Sequence, residues 1–131
     1  MNSVPEDLCT QNGSKCFKFI SDKKNWSDAK SHCESIGYNL AIIENEEERR
    51  LASTFSVYGF LWIGIQRNSN GEFIYSNGEK AQYLYWRNGQ PTGTYNGEAT
   101  DCVDIWENSN EYSDWYCTNE YAFVCSKGIL K

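Results

Sequence analysis

The sequence predicts a single α+β domain that is held together by disulfide bonds. Its 131 residues are enough for one domain with a hydrophobic core. Six cysteines in so short a chain indicate a disulfide framework and an oxidising compartment, so we expect a secreted or extracellular protein. Helical patterns come first and short strand patterns follow them, which is the order typical of α+β proteins.

The chain begins with a predicted N-terminal hairpin over residues 9–20. Cys9 and Cys16 flank Asn12-Gly13, a residue pair that favours tight turns, so a disulfide closing this hairpin is sterically natural. The alternating segment 16–20 predicts a strand.

A first helix is predicted to begin after Asn25, a residue type that caps helix N-termini, and to stop at Gly37. One helical face carries Trp26, Ala29, Cys33 and Ile36. Cys33 is therefore expected to point into the core. A short buried or extended segment over 40–43 follows.

A second helix is predicted to begin near Asn45. Three glutamates and then two arginines follow it, and we expect this charge run to lie on a solvated helix face. Leu51 and Phe55 are four residues apart and predict the inner face.

Strand patterns dominate after Gly59. The apolar run 61–65 predicts a strand that is buried on both faces. Further strands are predicted over 72–75, 83–86, 102–106, 112–115 and 121–125. Residues 88–100 have little apolar content and hold three glycines and a proline, so they predict a long irregular loop, and such loops are usually functional.

Charge and the length of the apolar stretches argue against two kinds of interaction, nucleic-acid binding and membrane insertion. Asp and Glu total 18 against 12 Lys and Arg, for a net charge of −6, and no basic run suited to nucleic acid is present. No apolar stretch is long enough to span a bilayer, so membrane insertion is not expected.

Residues 1–8 lack the apolar core of a signal peptide, so we expect that an export signal was removed. Solubility explains the acidity most simply, although an acidic chain also suits calcium.

Taken together, these segments resemble the C-type lectin-like domain, over nearly the whole chain from Cys9 to Cys125. The matching motifs are Trp62-Ile63-Gly64-Ile65, the helix from Asn25 to Cys33, Gln90-Pro91, Cys102-Val103, and Asp114 three residues before Cys117. The resemblance implies two helices and two small antiparallel sheets with a long irregular loop, in one domain over residues 1–131. Within that domain, residues 88–100 would be the ligand loop.

The resemblance also implies a disulfide pairing. Spacing alone leaves fifteen pairings of six cysteines open. The family pattern implies Cys9–Cys16, Cys33–Cys125 and Cys102–Cys117. The first of these bonds marks the long form of the domain, which has an N-terminal hairpin.

In sugar-binding members of that family, a calcium ion at the long loop is held by residues that also bind two sugar hydroxyls. The resemblance carries metal binding over to Gln90 and Asp114, with Glu98 recruited from the loop. Thr92 stands where Asp or Asn is usual and offers only a neutral hydroxyl. Arg67 occupies an acidic position of the auxiliary calcium site. Calcium prefers six to eight oxygens, several of them charged, so we expect any binding to be weak.

The candidate ligand-binding residues are Gln90, Thr92, Tyr95, Glu98 and Asp114. A glutamine at position 90 resembles galactose-type members, and the nearby Tyr95 offers a face for stacking on a sugar. Plainer interpretations remain open. Asp114 could cap a turn, Gln90 could be a solvated loop residue, and Tyr95 could pack against the base of the loop.

These observations lead to one main hypothesis of function and two alternatives. The first is an extracellular carbohydrate-binding module, calcium-assisted and galactose-leaning, that contacts glycans or a glycoprotein surface. The second is a calcium-independent lectin-like domain that recognises a protein ligand. Ice binding is a distant third, suggested by the loop threonines Thr92, Thr94 and Thr100.

Catalysis is not expected. The lone His32 adjoins the core-facing Cys33, no cysteine is left for nucleophilic work if three bridges form, and no Gly-x-Ser-x-Gly motif occurs. Asp101 and Asp104 form a carboxylate pair of the kind used in glycoside hydrolysis. Residues that flank a disulfide in a strand more often face solvent or cap a loop.

Overall fold

The computed structural model describes residues 6–128 and confirms the α+β class. The helices within these residues are α1 (Trp26–Ser35), α2 (Glu46–Ser53) and a 3₁₀-helix (Thr54–Tyr58). The strands are β1 (Leu8–Cys9), β2 (Lys15–Lys24), β3 (Asn39–Leu40), β4 (Leu61–Arg67), β5 (Phe73–Tyr75), β6 (Thr94–Tyr95), β7 (Glu98–Ala99), β8 (Cys102–Ile105), β9 (Tyr112–Trp115) and β10 (Tyr121–Gly128). No helix among these residues is long and apolar enough to cross a membrane.

The strands form one long mixed sheet and a separate hairpin, where two small antiparallel sheets were expected. The order is β1-β2-β10-β4-β8-β9, with β3 also paired to β10 and β5 to β4. Strand β10 pairs antiparallel with β2 on one side and parallel with β4 on the other. The last strand therefore joins the N-terminal strands to the loop-bearing strands in a single sheet.

The strand predicted over 83–86 does not form. In this segment only Trp86 makes a ladder contact, an isolated bridge to Tyr112. Tyr83 and Trp86 pack against the core instead, whereas Tyr85 is 43% exposed and lies under the guanidinium of Arg49. Strand propensity reflects how well a side chain fits a half-buried surface. Here the side chains reach such a surface although the backbone forms no strand ladder.

Helix α1 follows its prediction at both ends. The Asn25 side chain accepts the backbone N–H of Asp28 at 2.8 Å, and Gly37 follows with φ +82°. The buried face carries Trp26, Ala29 and Cys33. Ile36 is 41% exposed, so its assignment to this face was wrong, because the helix ends at Ser35 and Ile36 already belongs to the cap.

The charge run of α2 is only partly solvated, which corrects the prediction. Glu48 and Arg49 are both buried. The guanidinium of Arg49 lies 3.5 Å from the ring centre of Tyr85, and its Nε donates to the Tyr83 hydroxyl at 2.9 Å. Glu48 accepts from Lys15 Nζ at 2.9 Å. Specific partners in the tertiary structure offset the desolvation of both charges.

Packing around β4 requires a glycine. An added Cβ at Gly64 would lie 2.0 Å from the carbonyl oxygen of Leu40, so only glycine lets β4 pass this close to β3. This close approach gives the glycine of the Trp-Ile-Gly-Ile motif a physical role.

All three expected disulfides are present. They join Cys9 to Cys16, Cys33 to Cys125 and Cys102 to Cys117. The bond from α1 to β10 spans 92 residues of sequence, against 15 and 7 for the others.

Removing the Cys33–Cys125 bond with a double alanine variant should cost the most stability. The chain-entropy model gives about 4–5 kcal/mol for a loop near this size and about 3 kcal/mol for the Cys102–Cys117 loop. Denaturant unfolding of both double variants measures the difference. Equal losses, or a Cys33–Cys125 variant that unfolds with the wild type, would contradict the loop-size argument.

Candidate ligand-binding site

The long loop contains a small hairpin of its own. Strands β6 and β7 pair Tyr95 with Glu98, and Asn96 and Gly97 between them both have positive φ. Two such residues at the tip match a type I′ turn, for which Asn-Gly is the preferred pair. The Asn-Gly signal was present in the sequence, although we expected an irregular segment. The Gln90–Pro91 peptide bond that precedes the hairpin is cis.

Asp114 is buried on β9, and donors from the loop surround its carboxylate. Oδ1 accepts from the backbone N–H of Thr92 at 2.9 Å and from the hydroxyl of the same residue at 3.1 Å. Oδ2 accepts from the N–H of Gly93 at 2.8 Å and from the Thr100 hydroxyl at 2.9 Å. Arg67 Nη2 lies 3.2 Å from the same oxygen. One carboxylate thus joins both ends of the loop.

These contacts stabilise the charged form of Asp114. Burial alone would raise its pKa, but donation from the N–H groups of Thr92 and Gly93, from Thr100 and from Arg67 outweighs burial. The pKa of Asp114 is therefore lowered from its ordinary value of 3.8.

Arg67, at the end of β4, is the positive partner of this network. Its Nη1 donates to the carbonyl oxygen of Thr100 at 2.9 Å and to Asp101 Oδ1 at 3.0 Å. Its guanidinium also lies 4.7 Å from the ring centre of Phe73. An internal cation thus lies between Asp101 and Asp114, at the base of the long loop.

The predicted metal ligands do not fit calcium in this arrangement. Both oxygens of Asp114 are engaged by protein donors, and the Gln90 side-chain oxygen accepts the Asp114 N–H at 3.4 Å. Glu98 is exposed on β7. Across residues 6–128, no three His, Cys, Asp or Glu side chains come together as a metal cluster. A calcium role for Gln90, Glu98 and Asp114 stays a prediction, and this geometry disfavours it.

A cavity of about 570 Å³ lies beside the loop. It brings together four predicted ligand-binding residues, Gln90, Thr92, Tyr95 and Asp114, whereas Glu98 is not among its lining residues. Aromatic side chains dominate the wall, contributed by Phe60, Tyr95, Trp106, Trp115 and Tyr121. We call this space the aromatic cavity. Sequence reasoning did not place Phe60, Trp106 or Tyr121 in the site, because their convergence depends on the pairing of β4, β8 and β10.

The ring of Tyr95 stays about half exposed and is not buried against the base of the loop. It is 49% exposed, and its ring centre lies 5.2 Å from that of Trp115 and 6.4 Å from that of Tyr116. The Tyr116 hydroxyl donates to the Tyr95 carbonyl at 2.6 Å. The ring is thus held in place and still open to solvent.

Asp104 also lines the aromatic cavity, and it does not face solvent or cap a loop as expected. Its strand, β8, runs between β4 and β9, so the side chain is only 1% exposed. One carboxyl oxygen accepts from the Ser113 hydroxyl, and the other has no partner in the described part of the chain.

Comparison with known proteins identifies related domains. The family model described as the lectin C-type domain matches residues 22–127. A "C-type lectin mannose-binding isoform" of Oxyuranus scutellatus is 32% identical over 131 residues, covering 92% of this chain and 81% of that protein. The "hepatic lectin" of Gallus gallus is 28% identical and covers 89% of this chain, which spans 56% of that protein's length.

Solved structures share the same fold. The carbohydrate-recognition domain of mouse scavenger receptor C-type lectin superposes with a TM-score of 0.84 at 25% identity, covering 98% of this chain and all of that one. A structure described as a calcium-independent type II antifreeze protein has a TM-score of 0.76 at 20% identity, with 98% and 100% of the two chains covered. This second likeness is of fold alone.

The lowered pKa of Asp114 predicts acid sensitivity. Its ionised form contributes stability above the ordinary value of 3.8, and that contribution is lost as pH falls through the lower folded-state pKa. The stability advantage of the wild type over Asp114→Asn should therefore be constant near neutral pH and shrink under acid conditions. Asp22→Asn, at an exposed site on β2, is the control and should show no such change. Denaturant unfolding across the acid range tests this, and a pH-independent gap for Asp114→Asn would contradict it.

Proposed function

The chain belongs to the lectin C-type domain family, and from this premise we propose that it is an extracellular carbohydrate-binding module. Lectins of this family bind carbohydrates and are not enzymes, so this chain is not an enzyme. The three disulfides support an extracellular location, because such bonds persist in oxidising compartments.

The observation that carries this proposal is the aromatic cavity beside the long loop. Its volume of about 570 Å³ lies within the range of roughly 300–1,000 Å³ that is usual for small-ligand sites. Aromatic faces bury the apolar C–H surface of a sugar ring, and this removes area from water. Gln90, Thr92 and Asn119 line the same space and supply polar atoms for sugar hydroxyls.

The sugar preferred by this site is proposed to be galactose-type. Gln90 stands where mannose-preferring members of the family carry an acid. Tyr95 presents an exposed ring on the neighbouring hairpin. The mannose in the name of the Oxyuranus protein describes that protein. In this chain, the neutral amide at 90 and the exposed ring at 95 support the galactose-type preference.

Binding is proposed to proceed without calcium. The network of Arg67 and Asp114 supplies from the protein the loop ordering that an ion would otherwise provide, and it leaves Asp114 no free oxygen. The same closed network favours a second candidate, a lectin-like domain that recognises a protein ligand. Either function would use the face formed by the hairpin and the aromatic cavity.

Replacing Tyr95 with alanine should weaken sugar binding, because the variant loses the stacking face. We expect a loss of about tenfold, which corresponds to about 1.4 kcal/mol. Tyr58→Ala is the matched control, since Tyr58 is 58% exposed and does not line the cavity. A glycan array followed by calorimetric titration of galactose and mannose measures both variants. A signal for mannose alone would refute the galactose preference, and silence across the array would favour protein recognition.

Calcium should change neither the melting temperature nor sugar affinity. The reason is that the oxygens of Asp114 are already engaged by Thr92, Gly93, Thr100 and Arg67. Thermal melts and titrations in millimolar calcium and in chelator test this. A clear rise in melting temperature with calcium would show that the ion can displace these donors, and calcium-independent binding would then be abandoned.

A further inference from the structure

The aromatic cavity contains a buried carboxyl group with unused hydrogen-bonding capacity. Asp104 is 1% exposed, and Ser113, which bonds one of its oxygens, is 3% exposed. The other oxygen, Oδ2, has no hydrogen-bond partner among the described residues, although the residue lines the cavity. A buried polar atom without a partner is costly and therefore calls for an explanation.

The two carboxylates of the cavity differ in how their charge is neutralised. Asp114 has Arg67 and a full set of donors. No cation pairs with Asp104 among the described residues, and none of the cavity-lining residues is Lys, Arg or His. Among the described residues, Asp104 accepts hydrogen bonds only from Ser113, which is uncharged. A ligand is therefore the available source of a counter-ion for Asp104.

The surrounding rings suit a cation with aliphatic substituents. Phe60 lies 4.9 Å from Trp106 and 5.4 Å from Tyr121 between ring centres, and Tyr95 with Trp115 forms a second aromatic group. The face of an aromatic ring carries negative electrostatic potential, so an ammonium group is attracted within about 6 Å of a ring centre. Apolar substituents on the nitrogen would at the same time be removed from water.

We propose that the aromatic cavity binds an organic ammonium group, with the cation against the rings and the Asp104 carboxylate as its counter-ion. The ammonium group compensates the charge that Asp104 carries when it is ionised, and no described residue supplies that compensation. This inference goes beyond the proposed function, because it does not require that a neutral sugar binds. An amino sugar and a free alkylammonium carry the same chemistry.

The ionisation of Asp104 supplies a signature of this binding. Burial raises the pKa of Asp104 to about 8, the Ser113 bond opposes the shift, and the charge of Asp114 adds to it. A cation favours the carboxylate, so binding near neutral pH should release a proton, and affinity should rise with pH until it levels off above about 8.

Other charged groups near the cavity do not mimic this behaviour. Asp114 is held ionised by its donors and by Arg67 on β4. Burial, and then the charge of Asp104, raise the pKa of Tyr121 on β10, so this phenol stays neutral. Glu107, which follows β8, is exposed.

The test compares choline with 3,3-dimethyl-1-butanol, which has the same shape but carries carbon in place of the charged nitrogen. Calorimetric titration at constant ionic strength should give binding of choline at least about tenfold tighter than of the neutral alcohol. Asp104→Asn should lose this preference, and Glu107→Gln, which removes an exposed acid nearby, should keep it. Equal binding of the two compounds, or an Asp104→Asn variant that binds choline as the wild type does, overturns the proposal.

The wild type provides a test that does not depend on a folded variant. Titration of choline in two buffers of different ionisation enthalpy should reveal proton release near neutral pH. Affinity should rise at least about tenfold from about pH 6 to about pH 9. Affinity that falls with pH would instead show a protonated Asp104 donating to a neutral acceptor, and would refute the ammonium site.

Comparison of galactosamine with galactose distinguishes the source of the cation and separates this inference from the proposed function. Tighter binding of galactosamine, lost in Asp104→Asn, supports an amino sugar as the ligand, and binding of choline alone supports a free alkylammonium. Binding of galactose with no gain for either cation refutes the ammonium site and leaves the carbohydrate function standing. Binding of neither a cation nor a sugar refutes both.

Discussion

The ion pair between Arg67 and Asp114 is the interaction on which the ligand-binding face depends. Asp114 is buried on β9, and the loop donates to its carboxylate from Thr92, Gly93 and Thr100. Without Arg67 the carboxylate would be a buried charge with only neutral donors, which is unfavourable. Together with Arg67, these donors hold the base of the long loop against the sheet. The hairpin of β6 and β7, which carries Tyr95, projects from this anchored base.

The ion pair of Arg67 and Asp114 also affects which chemical groups are available in the neighbouring cavity. The same contacts that hold the loop engage the Asp114 oxygens that a calcium ion would need, and this geometry disfavours the ion. The neighbouring cavity is lined mainly by aromatic side chains and holds the Asp104 carboxyl group, whose Oδ2 has no partner within residues 6–128. Under the proposals above, ligand recognition would depend on ring faces and on the ionisation of Asp104.

Local sequence patterns predicted those features that local forces determine. Asn25 and Asn45 cap the two helices because a short side-chain oxygen reaches a free backbone N–H whatever lies elsewhere in the chain. The apolar run 61–65 marked β4 because a strand covered on both faces needs no polar alternation.

Predictions failed where tertiary contacts outweighed the local pattern. Arg49 is buried because Tyr83 and Tyr85 receive its guanidinium, although its helix pattern suggested a solvated face.

The sequence by itself determined the fold class, the start of both helices and the end of α1 to within a residue or two, and, through its resemblance to one family, the disulfide pairing. These depend on short-range geometry and on motifs that lie close together in the chain. Only the tertiary structure decided how the candidate site is organised. Arg67 meets Asp114 across 47 residues of sequence, and Phe60, Asp104 and Tyr121 converge on one cavity because β4, β8 and β10 are brought side by side. Such convergence depends on strand pairing and register, so no local pattern in the chain could reveal it.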